Sequence, residues 1–273
     1  MNNFQKIVKV FAICLAVFII VNICMAIFSG IALFTHLGNN DNESLKEFNA
    51  VYENVDTLDI DIASSNIEIK TGNEFKVEAS TKKDLICKQV DGKLKIEEKT
   101  SWFIHNTLMG DVVIYVPLGT ILKEIDLDTG AGEIKLENIQ AESLDLDHGA
   151  GVLKISNCNF NKTDIDGGAG EIEILGSRLN NLDLDCGVGK VKMEAYVTGN
   201  SKLSAGIGKI NLTLLGDKED YQITADKGIG SIKIENQECS SNTTYGSGYN
   251  RIKIEGGIGS IIVDYKTSNI VNL

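Results

Sequence analysis

Proline is almost missing from this chain: Pro117 is the only one in 273 residues. Proline cannot donate to a strand ladder and is kept out of central strands, so its scarcity leaves room for an uninterrupted sheet. Arginine is nearly as rare, with Arg178 and Arg251 alone. The histidines number three, His36, His105 and His148. No nucleophile elbow, HExxH or P-loop motif occurs. No CxxC pair occurs either, which removes the usual redox and zinc-ribbon spacings. These gaps argue against an enzyme. Acidic residues are absent before Asp41, and all 38 lie after residue 40 beside 24 of the 26 basic residues, a net charge of −14 for that part. Such a surface is a poor partner for nucleic acid or anionic lipid and is compatible with cations, cationic peptides or neutral glycans.

What the N-terminus does have is a long apolar run. Residues 7–34 are interrupted only by Lys9, Asn22, Ser29 and the glycine at 30. About twenty such residues span a bilayer. The run is too long for an ordinary signal-peptide core, and no small-x-small cleavage site follows it. No small residue of lipobox type precedes Cys24. Lys6 and Lys9 precede the run and no acidic residue does, so the positive-inside rule places the N-terminus in the cytoplasm and the remainder outside. The expected organisation is a stub and transmembrane helix over 1–40, a strand-rich N-terminal or cap part over 41–120, and a repeat domain with a C-terminal cap over 121–273. The expected location is the cell membrane, single-pass, with the ectodomain extracellular.

The repeat domain rests on a glycine pair that recurs every nineteen residues. Gly130 and Gly132 are followed by Gly149 and Gly151, Gly168 and Gly170, Gly187 and Gly189, Gly206 and Gly208. Looser copies follow at Gly228 and Gly230 and at Gly257 and Gly259. Strict self-similarity of this kind marks a repeat architecture. Each unit carries two runs of period-two alternation, the pattern of strands. Three apolar columns result, headed by Leu127, Ile134 and Leu136 and repeated at each nineteen-residue step. A single unit cannot bury such faces, whereas stacked units can. The expected fold is all-β: a β-solenoid of 19-residue, two-strand rungs with GxG turns, about 4.8 Å apart along its axis. A two-sheet sandwich of hairpins is the alternative. The residue between the glycines is always apolar (Ala131, Ala150, Ala169, Val188, Ile207, Ile229, Ile258), so it is expected to point inward and fill the corner. A degenerate copy at residues 60–69 aligns with 127–136. Segments 41–120 and 260–273 are the cap candidates, because open solenoid ends template aggregation.

Two aspartate ladders carry the chemistry. Asp59, Asp126, Asp145, Asp164 and Asp183 share one phase; Asp61, Asp128, Asp147, Asp166 and Asp185 share another. Stacked about 4.8 Å apart, neighbouring carboxylates at an effective dielectric near 20 repel by on the order of 3 kcal/mol before screening. A bound Ca²⁺ would offset this, with Asp128, Asp147, Asp166 and Asp185 as candidate ligands. Turn amides donating to the same aspartates are the structural alternative. No other cofactor is implied. The opposite strand alternates Glu133, Glu171, Lys190 and Lys209 with Lys135, Lys154, Glu173 and Lys192, a solvated, ion-paired face. His148 reads as a turn residue, and Trp102, Phe103 and His105 as a loop covering one end. Cys14 and Cys24 lie in the apolar run. Cys87, Cys158, Cys186 and Cys239 read as unpaired structural thiols.

The step Asp111-Val-Val-Ile-Tyr-Val-Pro117-Leu-Gly into repeated L-D-x-x-x-G-x-G-x-I units, after a membrane span, resembles the bacterial putative-adhesin family. These are membrane-anchored β-solenoid domains of Gram-positive type whose function is unassigned. The resemblance covers residues 50–265 and implies an extracytoplasmic, non-enzymatic domain. It supplies no binding residues. The sequence therefore points to a non-catalytic surface-binding protein, anchored in the lipid bilayer by its N-terminal helix and holding a glycan, protein or cationic peptide. An envelope accessory or sensor protein that binds a cation or cationic peptide is the second reading. A polysaccharide lyase is a remote third.

Overall fold

The computed structural model describes residues 45–82, 84–98 and 110–267. The expected span at 7–34, Cys14, Cys24, His36, and the Trp102, Phe103 and His105 loop lie outside the described residues. Among the described residues no helix is long and apolar enough to cross a membrane.

Period-two alternation becomes strand throughout. The strands are β1 (Lys46–Tyr52), β2 (Thr57–Gly72), β3 (Phe75–Thr81), β4 (Leu85–Val90), β5 (Lys93–Glu98), β6 (Gly110–Pro117), β7 (Ile121–Glu137), β8 (Gln140–Ser156), β9 (Asn159–Asn180), β10 (Leu182–Thr198), β11 (Asn200–Leu215), β12 (Tyr221–Ile234), β13 (Gln237–Glu238), β14 (Thr243–Gly246) and β15 (Asn250–Lys266). All fifteen belong to one sheet. Neighbouring repeats pair in parallel at a register of nineteen: Leu127 faces Leu146, Leu146 faces Ile165, Ile165 faces Leu184 and Leu184 faces Leu203.

That register forces each repeat to curl. Only Asn138 and Ile139 separate β7 from β8, yet Ile121 pairs with Gln140. After nineteen residues the chain has returned to within one strand spacing, about 4.8 Å, of where it began. A straight strand cannot do this, so the arrangement is solenoid-like. Two kinds of corner supply the bending. One is an asparagine in the left-handed region, Asn138, Asn157 or Asn181, with φ of 57°, 53° and 50°, a conformation asparagine tolerates better than most residues. The other is the GxG step.

The GxG step differs from expectation in two ways. It does not end a strand: β7 runs unbroken for 17 residues through Gly130 and Gly132. Nor does its middle residue point inward. Val188, Ile207, Ile229 and Ile258 are 50%, 41%, 60% and 36% exposed. The cause is a change of phase. Leu127 and Thr129 face the core, and so do Ile134 and Leu136, five residues further on from Thr129. A one-residue slip therefore occurs between them, as at a bulge. The glycines make the slip possible because the backbones touch there. A methyl group on Gly170, whose φ is +146°, would lie 1.9 Å from the Gly151 carbonyl oxygen.

The three apolar columns are buried as expected: the residues headed by Leu127, Ile134 and Leu136 are all 4% exposed or less. The degenerate copy is a true rung, with Ile60 facing Leu127 and Ile67 facing Ile134. Beyond it, β5 pairs with the first half of β2 and β6 with the second. Antiparallel strands β4, β3 and β1 then cover that end. At the other end spatial order departs from chain order. β15 stacks on β11, and β12 stacks outside β15. Antiparallel β13 and β14 close the exposed edge of β12. The C-terminal cap is thus the polar insertion at 236–250; residues 260–266, expected to cap, lie inside rung β15.

Candidate binding face and groove

The two aspartate ladders form in full. Asp59 faces Asp126, then Asp145, Asp164 and Asp183; Asp61 faces Asp128, then Asp147, Asp166 and Asp185. Alternation with buried residues at 58, 60, 125, 127 and their equivalents turns all ten outward. The first column is bounded by lysine at each end, whereas the second runs from Glu97, which faces Asp61, to Ser204, which faces Asp185. Lys93 meets Asp59 at 2.5 Å. Lys202, which faces Asp183 on the next rung, reaches Asp183 at 3.8 Å and Asp185 at 3.5 Å. Among the described residues the interior carboxylates have no lysine partner. Partial burial, then the neighbouring Asp59, Asp128 and Asp145, raise Asp126 above the usual carboxylate range. Partial burial and then Asp128 and Asp166 raise Asp147. Partial burial and then Asp164 and Asp185 raise Asp166. The result is a ribbon of negative charge whose interior aspartates form no ion pair among the described residues.

Asp128, Asp147, Asp166 and Asp185 form a single file and not a cage. Among the described residues no three His, Cys, Asp or Glu side chains converge in a way that could hold a metal ion. A shallow groove of about 290 Å³ runs along Asp147, Asp166 and Asp185 beside Gly149, Gly168 and Gly187. The glycines are what leave this strip bare.

His148 is not the surface turn residue expected. It lies within β8, 6% exposed, with Nδ1 2.7 Å from the Thr129 hydroxyl on the rung below. Burial holds its pKa below the ordinary imidazole value. It is a core residue of the corner and is not poised as a base. The Glu/Lys face is ion-paired as read: Lys154 to Glu133 at 2.7 Å, Lys190 to Glu171 at 2.7 Å and Lys192 to Glu173 at 2.5 Å. Cys158 and Cys186 are buried. Burial pushes the Cys158 thiol up to about 11.

A second feature escaped the sequence. Where the aspartate column gives way to lysine, an open groove of about 580 Å³ crosses β9, β10, β11, β15 and β12. Lys162 of β9, Asn181 at the corner before β10, Asn200 of β11, Arg251 of β15 and Gln222 of β12 lie along it, with Asp164, Asp183, Lys202 and Lys253 beside them. The only sequence signal was the insertion next to Arg251. Residues 200 and 251 become neighbours because β15 inserts itself between β11 and β12.

The fold and these faces define a class: an all-β, solenoid-like sheet of parallel repeats that presents long charged columns. The chain belongs to the Toastrack family (DUF4097), whose profile matches residues 55–255. A solved structure shares the fold. A putative adhesin from Bacteroides fragilis NCTC 9343 is 17% identical, with a TM-score of 0.51, over 81% of this chain and 98% of its own. A putative cell adhesion protein from Clostridium sporogenes ATCC 15579 is also 17% identical, with a TM-score of 0.37, over 81% of this chain and all of its own. No curated protein matches the chain.

Proposed function

We propose that this chain is a non-catalytic surface-binding protein: a β-solenoid of 19-residue rungs, anchored by the apolar run at 7–34, that uses its aspartate face to hold a cationic partner outside the cell. The observation that carries the reading is the pair of five-membered aspartate columns whose interior members form no ion pair among the described residues. Carboxylates in single file, one rung apart, match an extended polycation better than one coordinated ion, because a Ca²⁺ site needs six to eight oxygens around a point. Long-range attraction along such a ribbon also speeds encounter. The Bacteroides fragilis neighbour, a putative adhesin, agrees with a surface role, as does the outward orientation implied by Lys6 and Lys9.

The test uses the full-length chain in non-ionic detergent, titrated with oligolysine by calorimetry at low and high salt. Saturable binding that weakens with salt and is reduced by Asp147→Asn with Asp166→Asn supports the reading. Binding untouched by those substitutions, or no binding at low salt, overturns it.

A further inference from the structure

The groove across β9–β12 has a chemistry opposite to that of the ribbon beside it. Lys162 and Arg251 are exposed, and among the described residues neither side chain makes an ion pair or hydrogen bond. Lys202 and Lys253, by contrast, are occupied: Lys202 by Asp183 and Asp185, Lys253 by Glu255 at 2.6 Å. Between the two free cations stand Asn181 and Asn200, and beyond Arg251 stands Gln222. The Asn181 side-chain oxygen accepts from the Asn200 backbone amide at 3.2 Å, which spends the oxygen and keeps the NH₂ as a donor. The Asn200 and Gln222 side chains have no partner among the described residues. Four of the five side chains in this row are therefore unspent, and Asn181 keeps its NH₂ as a donor.

We propose that this row is a binding subsite for an extended, sparsely acidic glycan lying across the rungs. The rungs advance about 4.8 Å each, close to the length of one sugar residue in an extended chain, so each rung would meet one sugar. Side-chain amides that both donate and accept suit vicinal hydroxyls. Lys162 and Arg251 stand three steps or about 14 Å apart; their long, unpaired side chains can lean together to bracket two sugar lengths, so they suit acidic groups on alternate sugars of one glycan strand, and the Arg251 fork suits a carboxylate in particular. Asp164 and Asp183 form the wall beside them. They accept hydrogen bonds from hydroxyls and repel a chain that is charged at every residue. The groove therefore selects for isolated acidic sugars. It is also rigid, being built on paired strands, so little ordering cost falls on the protein when it binds.

The experiment compares three oligosaccharides on the full-length chain in non-ionic detergent by calorimetry. A hyaluronan octasaccharide carries one carboxylate on every second sugar; an oligogalacturonate carries one on every sugar; a cello-oligosaccharide carries none. Saturable binding of the hyaluronan fragment, at least about tenfold tighter than either other probe, is expected. Lys162→Gln with Arg251→Gln should weaken it by at least about tenfold, since two charge-assisted hydrogen bonds are lost. Lys123→Gln, on a remote lysine paired with Asp56, should leave it unchanged. Circular dichroism establishes that each variant is folded. Absence of saturable binding, equal binding by the double variant, or equal binding of either other probe would overturn the proposal. Oligolysine in the same preparation separates the two readings: oligolysine bound without the octasaccharide sinks the groove alone, and the reverse sinks the acidic face alone.

Discussion

Gly170→Ala is the sharpest perturbation of this architecture. The added methyl would lie 1.9 Å from the Gly151 oxygen and 2.9 Å from its carbonyl carbon. Both are backbone atoms, so no rotamer change can relieve the contact. The native φ of +146° adds a conformational penalty; sparsely populated backbone regions cost about 1–3 kcal/mol for a residue with a Cβ. Forcing the rungs apart adds to this, so the total should reach at least about 3 kcal/mol, within the range reserved for named structural lesions. For a unit of this size each kcal/mol moves the melting temperature by roughly 2–4 °C, which gives a drop of roughly 6–12 °C. Thermal melting of the full-length chain by circular dichroism reads it. Ala169→Ser is the matched control: it sits on the same corner with an exposed side chain, and surface changes stay within about 0.5 kcal/mol. A Gly170→Ala melting temperature within about 2 °C of the parent would refute the claim that backbone contact at this column sets the rung spacing.

Other outcomes follow from the same geometry. Ile207→Ser and Ile229→Ser should each change stability by less than about 0.5 kcal/mol, because both side chains face solvent; a loss of several degrees on melting would mean that they fill the corner after all. Asp147→Asn should stabilise the fold by about 0.5 kcal/mol after solvent screening, a rise of roughly 1–2 °C in melting temperature, and added salt should shrink the gain. Its folded pKa is raised, so the native state holds the proton more tightly and the parent's repulsion sets in as pH climbs through the carboxylate range. The advantage of the variant should therefore be present at neutral pH and vanish once the parent's aspartates are protonated; a gain that persists there would count against repulsion as its cause. His148 works in the other direction. Its folded pKa is depressed, so the unfolded chain binds the extra proton and stability falls as pH drops through the unfolded value near 6.5. His148→Gln should flatten that part of the stability profile, and a parent profile already flat there would refute the assignment.

The parts of the fold that the sequence displayed are those that repeat. A period of nineteen and an alternation of two together dictate which residues stack and which face the core, and Leu127, Ile134 and their equivalents stack as that rule requires. The orientation of Ala131 and Ile207 was hidden because two counts disagree. Counting by twos from Leu127 sends residue 131 inward; counting back from Ile134 sends Gly132 inward instead. The backbone resolves this at Gly132, whose φ of +148° absorbs the slip, and nothing in side-chain pattern alone says which count prevails. His148 was misread for the same reason, since a GxG taken as a turn makes its neighbour a turn residue.

The groove was illegible for a different reason. Repeat logic assumes that the next copy in the chain is the next rung in space. Here the steps to the last two copies lengthen to twenty-two and twenty-nine residues, and the added length lets β12 pass outside and β15 return against β11. The exchange has an electrostatic consequence. Had β12 stacked directly on β11, Gln222 and Thr224 would stand where Arg251 and Lys253 now meet Asn200 and Lys202. The exchange instead brings Arg251 and Lys253 alongside Lys202, next to the last two aspartates of the column, and makes a boundary between opposite charges on one continuous face. A solenoid with its rungs in chain order would carry the same residues with its cations displaced one rung outward, and a shortened 236–250 insertion that restored chain order should abolish octasaccharide binding while leaving oligolysine binding at the aspartate ribbon intact.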